Sequence, residues 1–235
     1  MSDRMMREPE GPDLPRPHQP LTNEQFQPIF ELFRMISEVR LEVVYFRSCI
    51  ALADTGFRET QSLLRARREA DSEKTAQANF YSRIVRHWPT IAAHSAISSL
   101  FHFRKHLSTI VDLLRISGAH DMLSNPAFAD EALALFDKQF PRWRQTRNAT
   151  APSADTRVKK EALNFPLVRK SQGTSVLVMG SFEGRTFVTT RYGEVLRFDV
   201  TWETYQRLLE VYDLLRSGLS LSPTTQSPDH TGRRS

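Results

Sequence analysis

The chain has 235 residues, of which 40% are hydrophobic and 25% charged, enough for one sizeable core flanked by polar tails. No apolar run approaches the roughly 20 residues of a membrane span, and the opening MSDRMMREPEGPDLPRPHQP lacks the apolar centre of a signal peptide, so a cytoplasmic location with no membrane partner is expected. The single cysteine, Cys49, rules out an internal disulfide and argues against a thiolate metal centre; set between YFRS and IALA, it reads as a small core residue.

Residues 1–20 and 219–235 are rich in Pro, Ser, Thr and mixed charge without apolar periodicity, and both are expected to be disordered tails around a single domain over 21–218. Thr22 with Gln25 three positions later has the form of a capping box, and Phe26, Ile29, Phe33, Ile36, Val43 and Ile50 recur at helical spacing. Pro28 lies too deep for a first turn, so the helix is expected to kink or start there, and Gly56 is expected to end it. The charged RETQSLLRARREADSEKTAQANFYSRIVRHW carries only a thin apolar stripe around Leu63, Leu64, Phe80 and Ile84, which predicts one or two peripheral helices.

Pro89 opens the strongest helical pattern, PTIAAHSAISSLFHFRKHLSTIVDLLRISG, closed by Gly118. Asn125 as N-cap and Pro126 as first helical residue introduce AFADEALALFDKQF. The period then changes from 3.6 to 2. TSVLVMGS, RTFVTTR and EVLRFDV, separated by Glu183-Gly184 and Tyr192-Gly193, predict an antiparallel three-stranded β-meander over about 174–200. Thr201 caps WETYQRLLEVYDLLRSG, whose Trp202, Tyr205, Leu208, Leu209, Tyr212 and Leu215 form one apolar face ending at Gly218. The expected fold is mainly α: a helical bundle with a small meander before the C-terminal helix.

The chemistry concentrates in two places. Between Phe140 and Lys170 stand Arg142, Arg144, Arg147, Arg157, Lys159, Lys160, Arg169 and Lys170 against only Asp155 and Glu161, a surplus larger than the +5 of the whole chain. An anionic partner would be drawn there. Arg144 and Arg147 share a helix face, Trp143 offers an anchor or a stacking surface, and an Arg that forks onto phosphate beside a hydrogen-bonding Asn148 suits a phosphodiester. The plainer reading is a basic helix end that complements the helix dipole. The second place is the helix bearing His87, His94, His102 and His106 on or near it, on the arc opposite the stripe Ala92, Ala96, Leu100, Phe103, Leu107, Ile110 and Leu114. His102 and His106 are spaced i, i+4, as a metal pair would be, but the Glu of a His-Glu-x-x-His motif is missing and Arg104 and Lys105 intervene, so no metal is assigned.

No phosphate-binding glycine loop, paired cysteines or Gly-x-Ser-x-Gly elbow is present, and no cofactor is expected. The aromatics beside arginines in VMGSFEGRTFVTTRYGEVLRF could form a single-strand RNA platform, but three short strands followed by a helix are expected to cover the bundle instead.

The order of these elements, with FPRWRQTRNATAPSAD between the histidine-bearing helix and the meander, resembles the uncharacterised bacterial branch of the HEPN superfamily over roughly 22–218. That resemblance implies a helical bundle that dimerises; active members pair an Arg and a following polar residue with a His after four to six intervening positions, and cut RNA without metal. Arg147 and Asn148 match the first half of that motif. Pro152, Ser153 and Ala154 stand where the His would be, and the next histidine is His230. The loss of a general acid–base removes about 10²–10⁴-fold in rate. The resemblance therefore implies a catalytically silent homodimer that binds RNA or a nucleotide through Arg142, Arg144, Arg147, Asn148, Lys159 and Lys160. The alternatives are a metal-independent ribonuclease whose base has moved to His102 or His106, and a structural protein–protein interaction module.

Overall fold

The computed structural model describes residues 7–12, 22–69, 72–117, 119–150, 168–169, 175–176, 180–191 and 194–219. Helices α1 (Asn23–Glu69), α2 (Ser72–Val85) and α3 (Trp88–Ile116) are followed by a 3-10 turn at Ala119–Met122, then α4 (Phe128–Gln139) and α5 (Trp143–Thr150). Strands β1 (Val168–Arg169) and β2 (Ser175–Val176) pair with each other, β3 (Ser181–Glu183), β4 (Thr186–Arg191) and β5 (Glu194–Asp199) form an antiparallel three-stranded sheet, and α6 (Trp202–Ser217) follows. The chain is mainly helical with a small meander before its last helix, as its periodicity predicts. The meander's first strand is Ser181–Glu183, at the end of the segment expected to form it; Ser175 and Val176 belong to the separate two-stranded ladder.

Two compact units are built from the chain. One comprises Val44–Phe101 and Phe140–Gln206; the other comprises Arg7–Val43, His102–Gln139 and the chain from Arg207 onward, so that α1, α3 and α6 contribute residues to both.

The buried residues of α1 explain which apolar side chains it uses. Ile29, Leu32, Ile36, Val39, Val43, Phe46, Ile50 and Ala53 alternate spacings of three and four, which keeps them on one seam. Phe26 and Phe33 each fall one residue off that series. Phe26 is 48% exposed and stacks on Phe30 at 5.8 Å, and Phe33 is half-buried. The helix starts before Pro28, with the Phe26 N–H donating to the Thr22 carbonyl at 2.8 Å, and runs through the proline.

Gly56 does not end α1, contrary to its expected role. A Cβ there would stand 2.8 Å from Pro89 Cδ and 3.0 Å from Trp88 Cβ, so the glycine lets α1 lie directly against the start of α3. Glycine's weak helix propensity, about 1 kcal/mol below alanine, is overridden by that close approach. The helix continues for three more turns, so that of the one or two peripheral helices expected after Gly56 the first is its distal end and the second is α2.

In the unit containing the sheet, Glu183 pairs with Thr186 across a two-residue loop, and Gly184 takes the positive φ of 63° that a primed hairpin turn requires. Leu196, Phe198 and Val200 are buried while Arg197 and Asp199 are exposed, the alternation of a half-buried strand. Phe198 meets Phe46 of α1 edge-on at 6.2 Å, and Phe182 meets Phe57 at 5.3 Å. Phe182 and Phe198 of the sheet face α1, in keeping with a sheet that covers helices. Asp54 accepts a hydrogen bond from Trp202 Nε1 at 3.3 Å and pairs with Arg185, tying α1 to the β3–β4 turn and to the first turn of α6. Thr201 caps α6 as predicted, its hydroxyl accepting from the Thr204 N–H at 3.3 Å.

In the other unit, α4 begins after Asn125, whose Oδ1 accepts from the Ala127 N–H at 3.2 Å. Phe136 stacks on Phe103 of α3 at 5.5 Å, and Arg104 forks onto Asp137 at 3.1 and 3.2 Å. Phe128 lies where a side chain on Gly218 would be, so this glycine's lack of a Cβ makes room for a buried ring. Residues 7–12, within the stretch expected as a tail, lie against α1 and α6: Arg40 Nε donates to the Pro9 carbonyl at 2.9 Å, and the Tyr212 hydroxyl to the Glu10 carbonyl at 2.6 Å. Cys49 is buried in α1.

Two outcomes test this packing. Gly56→Ala, which would stabilise an open helix, is expected to lower the thermal midpoint, because overpacking here costs about 1–3 kcal/mol; Gly184→Ala, strained by its backbone but open in space, serves as the comparison. Burial pushes the Tyr212 phenol up to about 12, with Arg40 and Arg216 opposing. The fold therefore favours the neutral phenol, while the unfolded chain ionises near 10. Stability is present below pH 10 and is lost as pH rises towards 12, at no more than about 1.4 kcal/mol per pH unit. Urea titrations between pH 9 and pH 11.5 should show this slope in the wild type and a flatter one in Tyr212→Phe.

Candidate functional site

The chain turns after Phe140, which is buried, and the Trp143 N–H donating to the Phe140 carbonyl at 3.1 Å starts α5. Thr146 is the buried residue of this short helix, and its hydroxyl donates to the Arg142 carbonyl at 3.0 Å. Around it Trp143, Arg147, Ala149 and Thr150 are half-buried, while Arg142, Arg144, Gln145 and Asn148 face outward. The helix is seated against β4 and β5. At its end Thr150 Oγ1 donates to the Thr146 and Arg147 carbonyls, each at 3.1 Å, satisfying acceptors that a helix terminus leaves open.

This seating arranges two rings and two guanidiniums in a row. The Arg147 guanidinium lies 4.5 Å from the centre of the Phe101 ring on α3, and its Nη1 donates to Asn148 Oδ1 at 3.2 Å. Phe101 and Trp143 are 6.0 Å apart with their planes tilted by 42°, and the Arg144 guanidinium is 5.3 Å from the Trp143 ring. Each cation–ring contact is worth about 0.5–1 kcal/mol at a partly exposed site, and each limits the wandering of a long side chain. Arg147 and Asn148 are thus brought together and oriented. Among the described residues no carboxylate lies within ion-pair distance of Arg142, Arg144 or Arg147, whereas Arg104, Arg185, Arg197 and Arg216 all pair with Asp or Glu. The α5 guanidiniums keep their positive potential for an outside anion. Arg157, Lys159 and Lys160 lie outside the described residues.

The histidines follow the helical wheel. All seven residues of the expected α3 stripe are buried, while His87, His94 and His102 are exposed and His106 is half-buried. His94 packs edge-on against Phe187 at 5.3 Å, and the desolvation of its covered side lowers its pKa below 6.5. Burial lowers the pKa of His106, outweighing Glu42 and Glu38 of α1, which favour its protonation, while His102 and Lys105 lower it further. Arg147 and Asn148 belong to one compact unit and His102 and His106 to the other. No three His, Cys, Asp or Glu side chains converge to hold a metal ion among the described residues. No helix among them is long and apolar enough to cross a membrane.

Sequence reasoning missed Phe101. It sits one residue beyond Leu100 of the buried stripe, and only the approach of α5 turns it into a guanidinium platform. Comparison with protein-family models, with curated proteins and with solved structures finds no match to this chain.

The lowered pKa values of His94 and His106 have a sign. The unfolded chain takes up protons near pH 6.5 while the fold still holds these imidazoles neutral, so stability is present above 6.5 and lost as pH falls below it. Denaturant midpoints measured from pH 7.5 to pH 5.5 should fall in the wild type and fall less in His94→Gln/His106→Gln.

Proposed function

We propose that this protein is a cytoplasmic, HEPN-like helical binding protein of the uncharacterised bacterial branch. It acts as a homodimer and binds RNA or a nucleotide through the basic end of α5 without cutting it. The observation that carries the reading is the Arg144–Trp143–Phe101–Arg147–Asn148 row, in which guanidiniums held on rings have no described carboxylate partner. A guanidinium has planar donors matched to phosphate oxygens, and one already braced by a ring loses less freedom when it binds. Arg142 extends the positive edge, and Lys159 and Lys160 are counted among the binding residues on sequence grounds alone.

The absence of strong catalysis rests on the missing histidine. A phosphodiester placed on Arg147 and Asn148 would have its charge stabilised, yet cleavage through a 2′-hydroxyl also needs a group to take that proton. Pro152, Ser153 and Ala154 cannot do so at neutral pH.

Fluorescence anisotropy with single-stranded RNA at graded salt tests the reading. Binding should weaken with salt, and Arg144→Ala/Arg147→Ala should reduce the log–log slope by about 0.7 for each phosphate that is no longer neutralised. Affinity that is salt-independent, or that the double variant leaves unchanged, refutes the assignment and favours a protein interaction module. Incubation of the same RNA in EDTA should leave it intact. Metal-free cleavage abolished by both Arg147→Ala and His102→Ala/His106→Ala would replace the binding reading with a ribonuclease that has moved its base.

A further inference from the structure

The contacts of residues 7–12 have the chemistry of peptide recognition. Arg40 on α1 and Tyr212 on α6 donate to two successive backbone carbonyls, those of Pro9 and Glu10, at 2.9 and 2.6 Å. Arg216, one helical turn beyond Tyr212, holds the Glu10 carboxylate at 2.7 Å. Pro9 is buried, while Arg7, Glu8 and Glu10 are exposed. Residues 7–12 form no helix or strand that would consume these carbonyls internally, as suits a segment that runs extended. A proline favours that form, because its φ is already fixed and it has no N–H to satisfy.

The fit is incomplete on the protein side. Arg216 Nε and Asp213 Oδ1 are buried without a hydrogen-bond partner among the described residues, although Arg7 approaches Asp213 Oδ1 to 3.7 Å. A buried polar atom left unmade costs about 1–3 kcal/mol. A segment that belonged permanently to the core would be expected to satisfy these atoms; a replaceable occupant need not.

We propose that Arg40, Tyr212, Asp213 and Arg216 form a docking site for an extended acidic peptide of the Pro-Glu type, and that residues 7–12 occupy it in cis as a displaceable strap. Specificity comes from three demands. The ligand must present two extended carbonyls, a proline small enough for the buried position, and a carboxylate on the following residue for Arg216. A strap on the same chain competes at an effective concentration of order millimolar, so an outside peptide of equal quality is kept out until the strap is released or outbid. None of its residues lies on α5.

The test uses the full-length protein, with a synthetic peptide of residues 7–12 as the probe and NMR of the isotope-labelled protein as the readout. Glu10→Lys reverses the charge facing Arg216 and should free the site. The peptide should then shift resonances of α1 around Arg40 and of α6 around Tyr212 to Arg216, with at least about tenfold higher apparent affinity than for the wild type, whose own strap competes. A peptide carrying Lys in place of its Glu10 should have no effect. Glu10→Lys/Arg216→Glu should restore the strap, returning the wild-type resonance positions of α1 around Arg40 and of α6 around Tyr212, which distinguishes a broken ion pair from a failure to fold. No shift in Glu10→Lys at millimolar peptide, or equal shifts in both proteins, overturns the proposal. Sedimentation supplies one further outcome: a wild-type dimer that Glu10→Lys converts to monomer would mean that the segment is exchanged between copies, overturning its assignment in cis.

Discussion

The approach of α1 to the start of α3 at Gly56 is the constraint on which much of the neighbouring structure depends. With no Cβ in the way, the Pro89 ring and Trp88 lie directly against the α1 backbone, and α1 passes them without a break. That continuity keeps Phe57, beyond the glycine, in helical register with Asp54, before it, and both reach the sheet. Asp54 joins Arg185 of the β3–β4 turn to Trp202 of α6, and Phe57 takes the Phe182 ring. A larger residue at 56 would have to displace a proline ring and a tryptophan, neither of which yields as the end of a flexible side chain would.

The same unit distributes its charges unevenly, and this gives α5 its character. Arg185 and Arg197 are neutralised by Asp54 and Glu183. The arginines of α5 are instead partnered by rings and by Asn148. A ring attracts a guanidinium without cancelling its net charge, so α5 combines order with positive potential. A carboxylate in Phe101's position would give equal order and forfeit the potential.

The other unit uses arginine in a different way. Arg104 and Arg115 hold α4 to α3 through Asp137 and Asp130, bonds between two regular helices. Arg40 and Arg216 instead hold a six-residue stretch that has no secondary structure of its own. The contacts shown for it are polar bonds and one buried proline, the kind of attachment that opens before regular helices do.

What could be read from the sequence is what depends on local periodicity and capping. The change from a 3.6 to a 2 period, the Thr201 and Asn125 caps, the Glu183-Gly184 turn and the apolar faces of α3 and α6 all follow from residues within a turn or two of one another. The Arg147–Asn148 pair was legible for the same reason, since both lie on one helix. Tertiary structure decided whatever depended on a neighbour far along the chain. Gly56 looked like a terminator because glycine weakens an isolated helix, and its packing against a proline 33 positions later leaves no mark on the local pattern. Phe26 and Phe33 looked like core because helical spacing tolerates an error of one residue, whereas the packed seam does not. Phe101 became the ring beneath Arg147, and Arg40, Tyr212 and Arg216 became the partners of Pro9 and Glu10, through contacts between elements distant in sequence, which composition and spacing do not encode.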